Sequence, residues 1–238
     1  MASRADTRVA PASDRVPTAV RAALSDFYFN SMRLVPANVV WGGVAVLVAL
    51  VGLVWPVGLV LASPLLALAG VVVFRVAAGI VRQDHGVTLR EAFSFARRVV
   101  IPATALGIGA VLVVAVLVTN LVLGLTSFEA TGWLVATLAG WGLVVLWCWT
   151  LVAWPLLADP ARADRPVRAR LGLAASLLLG DPIRFAGLGL SAAVIVVLST
   201  ILTAALLTVS VAFVALVSCR VVLATADRLE ASPALGPG

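Results

Sequence analysis

Apolar residues fill this chain in long blocks, and polar residues stand between the blocks instead of alternating within them. The first block covers about residues 35–54 and ends at Trp55-Pro56. A second follows at once, about 57–80, with Pro64 inside it. A third covers about 99–125 and a fourth about 133–157. At 1.5 Å per helical residue, each can cross the ~30 Å hydrocarbon layer of a bilayer. Pro64 lacks a backbone donor, so a bend is expected there.

The last block is longer. Residues 185–219 hold no charged side chain across 35 positions. One helix of that length would measure roughly 52 Å, well over the apolar thickness. Two helices fit better, at about 184–203 and 206–224. The turn between them falls near residue 204, where Ser199, Thr200, Thr203, Thr208 and Ser210 supply hydroxyls for freed backbone groups. The pattern predicts an all-α, polytopic helical membrane protein with six transmembrane helices in three hairpins.

Shorter helices are expected between the blocks. From Pro17 to Met32, Val20, Leu24, Phe27 and Met32 recur at helical spacing, with Arg21, Asp26 and Asn30 on other faces. That is the pattern of an amphipathic helix lying in the interface. Thr88 followed by Glu91 is a capping box and predicts a helix over 89–98. Residues 158–182 read as a proline-flanked turn and a helix over 166–179, stopped by Gly180 and Pro182. Residues 1–16 and 229–238 read as disordered tails around a single helical membrane domain, 17–228.

Charge sharpens the topology. Only 12% of the 238 residues are charged, against about 25% in soluble domains. All seventeen basic residues are arginine. With six spans and an inner N-terminus, the inner segments are 1–34, 75–98, 158–184 and 220–238. They hold all seventeen arginines, and the outer turns hold Glu129 alone among charged residues. This is the positive-inside arrangement, with both termini cytoplasmic in a plasma membrane. A five-span chain would send Arg220 and Arg228 outside.

Composition also excludes some chemistry. No basic stripe with interleaved aromatics suggests nucleic acid. One histidine and two distant cysteines, Cys148 and Cys219, suggest neither a metal site nor a disulfide framework. No phosphate-binding loop, dinucleotide fingerprint, zinc-protease motif or G-x-S-x-G elbow is present. His85 beside Asp84 reads as a solvated loop. No catalytic residue, metal or cofactor is expected.

The remaining candidates are polar positions in the spans. Arg75 stands about five residues inside the second block, where it can snorkel, pair with Asp84 or Glu91, or meet an anion. Asn38 and Asn120 lie near span ends and suit interhelical hydrogen bonds. Trp141 and Trp149, eight apart, fall on roughly one helix face, either lipid-facing or a platform for a sugar-like ligand. Trp55 and Trp133 suit the outer interface and Trp154 the inner one. Gly42-Gly43 and the small residues from Gly187 suggest close helix approach.

Several short motifs occur in order: "FYFNSMRLVPANVVWGG" at 27–43, with Asn38 and Trp41; Pro64 to Leu68; Arg75; "EAFSFARR" at 91–98; "LVAWPLLADP" at 151–160; and "GDPIR" at 180–184. Together they resemble the YesL-like family of bacterial integral membrane proteins, over about residues 25–228. That resemblance implies a non-enzymatic accessory role in carbohydrate uptake, partnering a sugar ABC-type transporter component besides the lipid bilayer. It brings no defined catalytic residues. A small membrane transporter or carrier is the alternative expectation.

Overall fold

The structure, a computed structural model, describes residues 16–84, 87–127, 129–201 and 209–231. Among them every regular element is helical. His85, Thr203, Thr208, the expected turn near 204 and nearly all of both expected tails lie outside the described residues.

The helices are α1 Val16–Phe29, α2 Ser31–Val54, α3 Pro56–Val81, α4 Leu89–Arg98, α5 Val100–Thr126, α6 Ala130–Ala158, α7 Val167–Gly180, α8 Pro182–Ile201 and α9 Val211–Ala231. Five of them (α2, α3, α5, α6 and α8) are long and apolar enough to cross a membrane. The chain is thus a helical protein of multi-pass membrane character. Of the sixth expected span, 206–224, residues 211–224 lie in α9, which is not among the helices of spanning character. It does not meet the apolar criterion, because Arg220, Asp227, Arg228 and Glu230 stand within it.

Local chemistry explains the boundaries. The capping box forms as expected: the Glu91 backbone N–H donates to Thr88 Oγ1 at 3.3 Å. Arg97 and Arg98 then complement the partial negative charge at the end of α4. Trp55 breaks the first hairpin in an extended conformation, and Pro56 opens α3 where a missing N–H costs little. Pro64 leaves α3 continuous. The carbonyl it frees, Val60 O, accepts from Ser63 Oγ at 2.7 Å.

The entry segment differs from expectation. The interfacial helix stops at Phe29, and Met32 already belongs to α2. Asn30 makes the break: its Nδ2 donates to Asp26 O at 3.0 Å, while its own carbonyl accepts from Arg33 and Leu34. Pro36 therefore falls in the second turn of α2, where its missing N–H leaves Met32 O without that helical donor. The face of α1 pressed into the protein is Ala19, Ala23 and Phe27, with Phe27 edge-on to Phe213 at 6.4 Å; Leu24 is exposed. Small alanines let α1 close onto α9.

The core lies toward one end. It is built from the last three turns of α3, the last two of α6, most of α9, alanines of α1, and Phe185, Leu188 and Ala192 of α8. The opposite halves of α2, α5, α6 and α8 turn Val and Leu side chains outward, as helices bathed in hydrocarbon do. Where α5 meets α6, a Cβ on Gly124 would collide with the Gly132 carbonyl, so glycine sets that crossing. Of the Gly42-Gly43 pair, Gly42 is buried while Gly43 faces open space, so only Gly42 can serve the expected close approach. Gly189 does pack closely: a Cβ there would stand 2.7 Å from Cys148 Sγ.

Candidate functional site

The described part of α9 lies deep among the other helices. Ala212 meets Asn38, the eighth residue of α2. Further along, Cys219 Sγ lies 3.9 Å from Phe74 O, and Asp227 meets Arg82 just past the end of α3. So α9 runs beside α3 in the same direction, with Ala212 level with a point ~10 Å along α2. A buried backbone N–H is costly to leave unsatisfied in apolar surroundings. Asn38 Oδ1 accepts from the Ala212 N–H at 2.7 Å. A side chain 174 residues away thus ties α2 to the backbone of α9.

Arg75 is buried, at 5% exposure. Its Nη2 pairs with Glu91 Oε1, and its guanidinium lies 5.2 Å from the centre of the Phe95 ring. Pairing with α4 is therefore the reading of Arg75 that the geometry supports. Among the described residues, Nε and Nη1 have no hydrogen-bond partner.

The other expected positions stand apart. Asn120 Nδ2 donates to Val116 O of its own helix at 2.9 Å, so it joins no second helix through that bond. Burial divides Trp141 from Trp149: Trp141 is 66% exposed, while Trp149 packs against the core. They form no common platform. Trp154, expected at the interface, stacks on Phe74 at 6.4 Å.

Instead, Trp41, Trp147 and Trp154 line a partly open cavity of about 400 Å³ among α2, α3, α5, α6, α8 and α9. Gly70 and Gly107 also face it. Much of its polar lining is spent internally: Trp147 Nε1 donates to Gly189 O at 3.0 Å, Thr150 Oγ1 to Trp147 O at 2.8 Å, and Ser63 Oγ to Val60 O, while the indole N–H groups of Trp41 and Trp154 make no hydrogen bond among the described residues. A sugar would find few free partners for its hydroxyls there, and burying them unpaired is unfavourable.

A charged clasp closes the core end of the bundle. Asp159, fully buried, accepts from Arg82 Nε at 3.2 Å and Nη2 at 2.7 Å, from the Ala161 N–H at 3.1 Å, and from Arg162 Nη1. Asp227 receives Arg82 Nη1 and Arg162 Nη2, each at 2.6 Å. Glu230 bridges Arg162 and Arg165. Burial opposes the charge on Arg82 and Arg162, yet their carboxylate partners outweigh it and hold both pKa values above the usual arginine range. Arg170 nearby donates to Leu157 O at 2.9 Å, and burial pushes its pKa down.

The clasp ties the ends of α3, α6 and α9 together, and Arg220 Nε adds α1 through Asp26 at 2.6 Å. These are the segments that the arginine pattern assigns to one side. The clasp itself was not foreseen from the sequence. Its faint signal is an acid-base or acid-acid pair one turn apart at a block end, Asp159/Arg162 and Asp227/Glu230. Comparison with family models, with curated proteins and with solved structures returns no match.

Proposed function

We propose that this protein is a non-enzymatic accessory of a membrane transport assembly. By the resemblance of its motifs, the assembly is a sugar importer of the ABC type in the plasma membrane, with the clasp end in the cytoplasm. The observation that carries this reading is the clasp. Six ionisable groups, Arg82, Asp159, Arg162, Arg165, Asp227 and Glu230, are bound to one another across three helices. They hold a shape at the bundle's end and are engaged in doing so, which suits a docking platform better than a reaction centre.

A carrier is the second reading, favoured by the ~400 Å³ cavity. Purification from native membranes in mild detergent separates the two. The accessory role predicts that a permease or ATPase subunit of an importer co-isolates with the tagged protein. Solute flux by the protein alone in proteoliposomes, abolished by Gly70→Leu, which projects into the cavity, would establish the carrier instead.

A further inference from the structure

We propose that the groove between α2, α3, α4 and α5 binds one anionic phospholipid, with its phosphate at Arg97 and an acyl chain laid along α2 and α3. The inference goes beyond the accessory role and does not depend on it. The groove has a volume of about 360 Å³ and is open along one side. That is within the range of small-ligand sites. Val40 and Val44 of α2 form one wall, and Leu65, Leu68 and Val72 of α3 another. From Val72 to Leu65 the α3 wall runs about 10 Å along the helix. Arg97 of α4 is its one polar lining residue. A slot that is hydrocarbon along its length and cationic at one end fits an amphiphile with an anionic head.

The depth is right for a lipid. Arg97 lies three residues before Val100, where α5 enters its apolar run, and Val72 lies three residues before Arg75. The charged end of the groove is therefore at the level where headgroups meet hydrocarbon. The charge is also uncommitted. Arg90, Arg97 and Arg98 are exposed and make no hydrogen bond or ion pair among the described residues, while Glu91, the acid of α4, is taken by Arg75. Phe93, 42% exposed, adds an aromatic edge beside the slot. Guanidinium pairs with phosphate oxygens in bidentate fashion, and basic pockets between membrane helices select anionic headgroups. A zwitterionic headgroup brings its own cation against these arginines.

Native mass spectrometry of the full chain in neutral detergent tests this, with dioleoyl-phosphatidylglycerol and dioleoyl-phosphatidylcholine as the probes. The proposal expects one phosphatidylglycerol retained about fivefold more tightly than phosphatidylcholine, the effect of one well-placed arginine. Arg97→Gln should bring the two lipids level. Val44→Phe, which fills the slot without altering charge, should weaken both. Arg90→Gln, on the same helix but off the groove, should change little. Equal retention of both lipids by the unaltered protein means an ordinary annular site and overturns the proposal. So does an Arg90→Gln effect as large as that of Arg97→Gln, which means diffuse charge attraction.

Discussion

Asn38 Oδ1 and the Ala212 backbone N–H meet at 2.7 Å, joining the second turn of α2 to α9. The asparagine is fully buried, and so is Ala212. One amide side chain thus gives a buried backbone donor an acceptor in another helix.

Asn38→Leu keeps the volume and removes the acceptor. Leaving a buried donor unsatisfied costs about 1–3 kcal/mol. The thermal midpoint of the detergent-solubilised variant should fall by several degrees, with lower abundance in membranes. An unchanged midpoint would show that the Asn38–Ala212 bond contributes no net stability.

The clasp predicts a larger loss. Asp159→Asn keeps the shape and removes the charge facing two buried arginines. Breaking a buried pair by removing one partner typically costs about 3–5 kcal/mol. Thermal unfolding should show Asp159→Asn well below Asn38→Leu. A variant as stable as the parent would mean that the clasp contributes no net stability.

Arg75→Leu should behave differently. The guanidinium already leaves Nε and Nη1 unpartnered, so its removal relieves a penalty while it loses one ion pair. Glu91 is 39% exposed and can be hydrated once alone. A net change within about 1 kcal/mol is expected by the same unfolding assay. A loss near that of Asp159→Asn would show Arg75 to be as structural as the clasp.

Two glycines of the cavity region should part company. A Cβ on Gly70 meets nothing closer than Trp41 Nε1 at 4.0 Å, so Gly70→Ala should be neutral or stabilising by up to about 1 kcal/mol through helix propensity. A Cβ on Gly107 would stand 2.6 Å from Ala67 Cβ, so Gly107→Ala should cost about 1–3 kcal/mol by overpacking. Paired melting curves check both, and the reverse order would contradict the helix packing described.

What was legible in the sequence is what depends on near neighbours. Thr88 and Glu91 placed α4 at its observed residues, and Trp55-Pro56 marked the first hairpin, because capping and proline effects act within one turn. The exit from α1 was missed by a few residues, since the periodicity runs on to Met32 while Asn30 breaks the helix by bonding backward to Asp26. The tryptophan pair was misjudged because an eight-residue spacing fixes direction on α6 but not what α6 packs against at each level. Apart from Asp159 and Arg162, the clasp joins residues 65 to 145 positions apart, and local pairs one turn apart do not say which of them meet. Asn38 was singled out as a partner for another helix, and it bonds the backbone of α9; which helix it reaches needed the fold.

The most direct test of the proposed membrane arrangement is sidedness. In a background with Cys148 and Cys219 replaced by alanine, Arg165→Cys reports the clasp end and Glu129→Cys the opposite hairpin. A membrane-impermeant maleimide should label position 129 in intact spheroplasts and position 165 in inside-out vesicles alone. Labelling of both positions from the same side would contradict a helical bundle that crosses the membrane with its arginine clasp in the cytoplasm.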